Sequence, residues 1–186
     1  MAKLIYVTNV SLDGYIEDEH GSFDWTPPDD EYLSLITDLV RPMGTYLYGR
    51  RLYESMALWE TEPALAAQSK LTADFADVWQ TADKVVYSTT LDTTSTANTR
   101  LETSFDPASV RAMKTSATKD LTIGGAHLAA QAFRAGLVDE CHLLIHPILT
   151  GGGKPGLPDG TRLGLELLDS RRLGSGVVHL HYRVRT

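Results

Sequence analysis

The sequence predicts an α/β fold: a mixed, mostly parallel sheet between two layers of helix, closed by an antiparallel hairpin at the C-terminal end. Three observations carry that expectation. Strand-like and helix-like runs alternate over roughly two thirds of the chain, the order that builds a largely parallel sheet. One strand-like run, "LTIGG", ends in a glycine pair and passes at once into a helical pattern. The tail then changes character, with three strand-like runs and no helix between the last two.

Each element has its own signal. "KLIYVTNV" is β-branched and aromatic and reads as the first strand. "PPDDEYLSLITDLV" opens with Pro27, Pro28 and acidic residues, which suit a helix N-terminus. Tyr32, Leu33, Leu35, Ile36, Leu39 and Val40 then give a helical stripe. "TYLYG" is a short strand ending at Gly49, and a second helical stretch begins near Pro63, with Leu71, Phe75, Val78 and Trp79 as its stripe. "KVVYST" is another strand; "SFDPASVRAMKTSA" offers Asp106 as N-cap and Pro107 at the first helical position. After "LTIGG", Leu128, Ala132 and Ala135 line one side of a helix that Gly136 stops. "CHLLIHPIL", "LGLELLDSRRL" and "GVVHLHYRVR" are the late strands, the last two joined by a hairpin at Gly174–Gly176.

Residues 1–186 are most simply one domain, large enough to bury roughly 70% of the unfolded surface. The 42% hydrophobic and 22% charged content is ordinary for a globular chain. The apolar runs are too short to span a bilayer, and the N-terminus lacks the apolar region of a signal peptide. The one cysteine, Cys141, excludes an intramolecular disulfide and fits a cytoplasmic protein. A net charge of −7 repels a nucleic-acid backbone. Arg50, Arg51, Arg171, Arg172 and Lys154 still leave room for a small anionic ligand.

Two readings of Gly124–Gly125 are open. Backbone N–H groups at a helix N-terminus attract anions, and glycine lets a pyrophosphate come close. A plain tight turn explains the pair equally well. The Rossmann spacing is absent, and "TGGGKPG" is no P-loop but a loop between strands, although Lys154 could meet an anionic substrate group. His179 and His181 alternate on one strand, and His142 and His146 share a face; without a further ligand these read as an exposed sheet face, and no metal site is expected. Cys141 reads as a packed small residue.

Taken in order, "SLDGYIEDEHGSFDW", "YGRRLYESM", "VYSTT", "TIGGAHLAAQAF" and "PILTGGGKPG" resemble the dihydrofolate reductase superfamily over nearly the full chain. The nearest branch includes the reductase domain of the bifunctional riboflavin-biosynthesis deaminase/reductase. The resemblance implies a dihydrofolate reductase-like three-layer fold that takes NADPH. It implies that Gly124, Gly125, Ala126, His127 and Leu128 receive the pyrophosphate, and that Gly49, Arg50 and Arg51 clamp the 2′-phosphate end, where arginine presents a planar fork of donors. Ser88 and Thr89 would flank the adenosine ribose phosphate. On the substrate side, Trp25 matches the family's tryptophan and Asp30 lies near its helix-start carboxylate, with Asp13 of the "SLDG" turn as rival acid. Asp29, Asp30 and Glu31 are equally explained as first-turn acids favoured by the helix dipole; Asp13 is equally a turn residue before Gly14. No deaminase H-x-E…P-C-x-x-C pattern occurs. The expected function is NADPH-dependent reduction of a small heterocycle, most like 5-amino-6-(5-phosphoribosylamino)uracil, in a homodimer joined partly through the late strands. Authentic dihydrofolate reductase and a non-catalytic nucleotide-binding relative are the alternatives.

Overall fold

A computed structural model describes residues 1–25 and 29–185. In chain order its elements are β1 (Leu4–Ser11), β2 (Tyr15–Glu17), α1 (Asp30–Val40), β3 (Met43–Gly49), α2 (Arg50–Thr61), α3 (Pro63–Ala66), α4 (Lys70–Thr81), β4 (Asp83–Tyr87), β5 (Thr99–Glu102), α5 (Pro107–Ser116), β6 (Asp120–Gly124), α6 (Ala126–Arg134), β7 (Glu140–His146), β8 (Lys154–Pro155), β9 (Gly164–Arg172) and β10 (Val178–Arg185). Eight strands form one sheet in the order β5-β4-β3-β6-β1-β7-β10-β9, while β2 and β8 pair separately. From β5 to β7 the neighbours run parallel; β10 is antiparallel to both β7 and β9. The expected fold class is what the structure shows.

Strand alternation divides the core into two layers. Leu4 and Tyr6 of β1 and Leu47 of β3 pack with Val110 of α5 and Leu128, Ala132 and Phe133 of α6. Ile5, Tyr46 and Tyr48 turn to the opposite face, against Leu33 and Val40 of α1, Tyr53 and Ala57 of α2, and Phe75 and Trp79 of α4. Burial on both faces is why these strands read as near-continuous apolar runs.

Two readings change. The helix expected from Pro63 is broken: α3 ends at Ala66, and Ser69 opens α4 with a capping box to Thr72. A further helix, α2, fills the space between "TYLYG" and Pro63. Asp29 caps α1, its side chain accepting from the Tyr32 amide at 2.7 Å; Pro27 and Pro28, expected at this helix start, lie outside the described residues. At the other end of the same layer Lys84 is buried, and its Nζ donates to the carbonyls of Trp79, Gln80 and Ala82, satisfying the end of α4. The late hairpin is present, with the Leu173 amide donating to the Val177 carbonyl at 2.8 Å. Cys141 is packed in the core, and burial pushes its thiol up to about 11.

Candidate active site

Because β3 and β6 are parallel neighbours, Tyr48 lies opposite Gly124 and both strands end on one side of the sheet. Each runs straight into a helix. Gly49 is the N-cap of α2 and Gly125 the N-cap of α6, and neither helix has a side-chain cap. The first N–H groups of both helices therefore point out of the fold beside each other, with two dipoles aligned. The backbones nearly touch: a Cβ built on Gly125 would lie 3.7 Å from the Gly49 nitrogen. Gly125 itself has φ +92, a conformation glycine adopts freely. Gly124 serves packing instead, since a Cβ there would collide with Leu52 of α2. Ala126 and Leu128 are buried and His127 is exposed, so Leu128 offers this place backbone only; its side chain belongs to the core.

Cations surround the two helix starts. Arg50 donates to Glu54 at 2.8 Å and, across to the turn after β4, to the Thr90 hydroxyl at 2.6 Å. That turn is shaped by buried Ser88, whose Oγ accepts from the Thr90 and Leu91 amides; Thr89 is exposed beside it. Arg51 bonds Glu17 at 3.0 Å, and Lys154 lies 3.7 Å from the same carboxylate oxygen. Lys154 also lines a groove of about 420 Å³ with Ala126, His127 and Arg134 along α6. The lysine expected on the substrate side thus stands beside the α6 N-terminus.

A second cavity, of about 260 Å³, lies between the sheet and α1, α2 and α4. Leu52, Met56, Trp59, Phe75 and Trp79 form its apolar side, and Gly124 is part of its wall, so it adjoins the glycine pair. No charged side chain lines it among the described residues. Its polar groups are neutral, and one set is linked. The Asn9 amide and the Tyr32 hydroxyl bond each other at 2.8–3.0 Å, and His146 Nε2 lies 3.0 Å from Asn9 Oδ1. The Trp25 ring meets His146 edge-on at 5.5 Å, and its buried Nε1 has no partner among the described residues. Burial raises the Tyr32 hydroxyl above its usual range and lowers the His146 imidazole, so both are neutral at pH 7. Asn9, Tyr32 and His146 come from β1, α1 and β7; no spacing in the sequence links them.

The two acid candidates lie elsewhere. Asp30 is the first residue of α1, exposed, and not in the cavity lining, the position of a first-turn acid. Asp13 accepts from the Thr150 and Gly151 amides at 3.2 and 2.8 Å and so ties the "TGGG" loop to the end of β1. A bond from Ser11, with those amides, holds its carboxyl at about 2. A group that acidic has no proton to give at neutral pH. The histidines expected on an exposed face are not there: His142, His146 and His179 are buried.

The profile described as RibD C-terminal domain matches residues 2–179, and the chain belongs to that family. The Bacillus subtilis (strain 168) protein YyaP, itself uncharacterised, is 30% identical over 97% of this chain and 94% of its own. Among solved structures, a Shewanella sp. PV-4 protein whose description places it provisionally in riboflavin biosynthesis aligns over 100% of both chains, with TM-score 0.76 and 20% identity. A pyrimidine reductase-like protein from Corynebacterium diphtheriae aligns over 100% of this chain and 92% of its own, with TM-score 0.67 and 15% identity. The diaminohydroxyphosphoribosylaminopyrimidine deaminase/5-amino-6-(5-phosphoribosylamino)uracil reductase of Thermotoga maritima gives TM-score 0.65 and 13% identity over 99% of this chain, which spans 57% of that protein.

Proposed function

We propose that this member of the RibD C-terminal domain family is an NADPH-dependent reductase of a small, planar, uncharged heterocycle. The observation that carries the reading is the meeting of two uncapped helix N-termini at Gly49 and Gly125, flanked by Arg50, Arg51 and Lys154. This is a cradle for a dinucleotide diphosphate. Arg50, Ser88 and Thr89 would take the 2′-phosphate end, and the first amides of α6 the pyrophosphate. The nicotinamide end would then lie toward the cavity that Gly124 lines. NADPH supplies the hydride when bound.

Reduction also needs a proton. Tyr32, kept protonated by burial and hydrogen-bonded to Asn9, which in turn bonds His146, is the better donor than Asp30 or Asp13, because it lines the cavity and they do not. Trp25 Nε1, without a partner among the described residues, is a further N–H donor beside this set. The cavity fits the ring of a substrate like 5-amino-6-(5-phosphoribosylamino)uracil, but a phosphate would have to stay outside it, since no cation lines it among the described residues. The lack of a lining carboxylate among those residues also disfavours dihydrofolate, whose pteridine such relatives hold with one.

The test is NADPH oxidation by the purified protein with dihydrofolate, the ribosylaminopyrimidine phosphate and its dephosphorylated form. NADPH binding without turnover of any would leave the non-catalytic alternative. If Tyr32 is the donor, Tyr32→Phe lowers kcat about 10²-fold or more while NADPH affinity is kept; unchanged kcat would take the role away from Tyr32.

One domain over residues 1–186, a cytoplasmic location and a homodimer through the late strands belong to the same proposal. Strands from Leu4 to Arg185 contribute to one sheet, and no described helix is long and apolar enough to cross a membrane. Leu165 and Leu167, 40% and 52% exposed, lie on the edge strand β9, where a second copy would cover them. A monomer by light scattering at micromolar concentration would remove the dimer.

A further inference from the structure

The sheet face between β7 and β10 carries polar side chains that the reductase reading does not use. His142 on β7 pairs directly with His181 on β10, and Glu140 lies two residues before His142 on the same face. A carboxylate oxygen of Glu140 and one ring nitrogen each of His142 and His181 all lie within 4.8 Å of one another. We infer that Glu140, His142 and His181 form a binding site for a divalent transition-metal ion of the zinc, cobalt and nickel class.

Three observations support it. The donor set is two imidazoles and one carboxylate, which suits these borderline ions and not calcium or magnesium. Ligands about 2.0–2.1 Å from a tetrahedral ion stand about 3.3 Å apart, so closing the set asks for shifts of about an ångström, in which half-buried His181 swings out of its stack on His142 so that both ring nitrogens face one ion. The orientation of His142 is already fixed from behind. Its Nδ1 bonds Nε2 of buried His179 at 2.8 Å, which leaves Nε2 as its free donor. Metal-bound histidines are held in this way by a partner on the second nitrogen.

The site has competitors of its own. His181 Nε2 bonds Glu140 Oε2 at 3.0 Å, and Lys3 Nζ bonds Glu140 Oε1 at 2.7 Å. An incoming ion displaces the hydrogen that His181 and Glu140 share and takes over part of the charge that Lys3 now neutralises. Once bound it pins β10 to β7, a structural role apart from the cofactor cradle.

The experiment is a titration of chelator-treated full-length protein with Co²⁺, followed by Zn²⁺. The expected result is one Co²⁺ per chain, with a visible band that one equivalent of Zn²⁺ removes. His181→Ala, at a half-buried position, should lower affinity at least 10-fold while melting as wild type. Lys3→Met frees Glu140 and should raise affinity severalfold. Ions held by exposed His20 or His127 would bind wild type and His181→Ala alike, and that equality overturns the site. So does a folded wild type that takes up no saturable equivalent, or a Lys3→Met protein that binds no tighter.

Discussion

The chain holds two glycine clusters, and they differ in what comes close to them. At Gly151–Gly153 the protein fills the space itself. Asp13 takes the Gly151 amide, a Cβ on Gly152 would press to 2.8 Å from the Glu19 carboxylate, and one on Gly153 would run into the Glu17 and Asp18 backbone. At Gly125 the nearest atoms to an added Cβ are those of Gly49, at ordinary contact distance, and the helix start beyond has no cap. Glycine admits a second body in both places. In one the body is another loop of the same chain; in the other, space and donors are left over. A glycine-rich loop is therefore no ligand loop by composition. The uncommitted amide is what distinguishes it.

Exchange experiments sharpen the contrast. Gly153→Val, at φ +130 and against backbone that cannot move, should cost about 4 kcal/mol or more. That lowers the melting temperature by about 8–16 °C. Gly125→Val meets no such wall and carries only the strain of its backbone, about 1–3 kcal/mol. It should leave a folded protein that no longer binds NADPH in a fluorescence titration. Equal melting losses for the two variants would erase the difference between the two clusters. Arg50→Ala should weaken NADPH by about 1.5–3 kcal/mol and leave NADH nearly unchanged; equal losses for both cofactors would remove the 2′-phosphate clamp.

The smallest effect is a pH signature of the filled cluster. The Asp13 carboxyl is lowered from 3.8 to about 2, so its bonds stabilise the native state above pH 3.8 and lose that contribution as the pH falls toward 2. The melting difference between wild type and Asp13→Asn should be constant near neutrality and close across that window. A difference that persists at pH 2 would mean that Asp13 acts by shape, not charge.

What could be read from the sequence was local. "LTIGG" and its helix are consecutive, so strand, turn and helix could be placed together. Asp106 and Pro107 announced α5 in the same way. The α2 helix is harder to read although Tyr53, Met56 and Ala57 have helical spacing, because its run begins inside the "GR" turn and is cut off by Pro63. The site itself depends on distant meetings. Gly49 abuts Gly125 only because β3 and β6 are neighbours in the sheet, a pairing made by strand order and not by any motif. Tyr32, Asn9 and His146 likewise meet through three separate elements, and the helical stripe that flagged Tyr32 as apolar hid its hydroxyl. Asp30 is a carboxylate at the place the resemblance implies, but a helix start favours acids whatever lies beyond it.

Glu17 bonds Arg51 and stands 3.7 Å from Lys154 through one oxygen. It acts as a resident counter-ion for two of the cations beside the α6 N-terminus. A visitor with one negative charge gains little by displacing it, because one carboxylate is merely exchanged for another. A diphosphate brings enough charge to engage both cations and the helix amides together. If the two helix starts hold a diphosphate as proposed, the carboxylate would set a threshold: chloride, acetate and other monoanions would be screened out of a cradle that bare arginine and lysine would have opened to them. Replacing Glu17 by Gln would make that corner stickier and less discriminating at the same time.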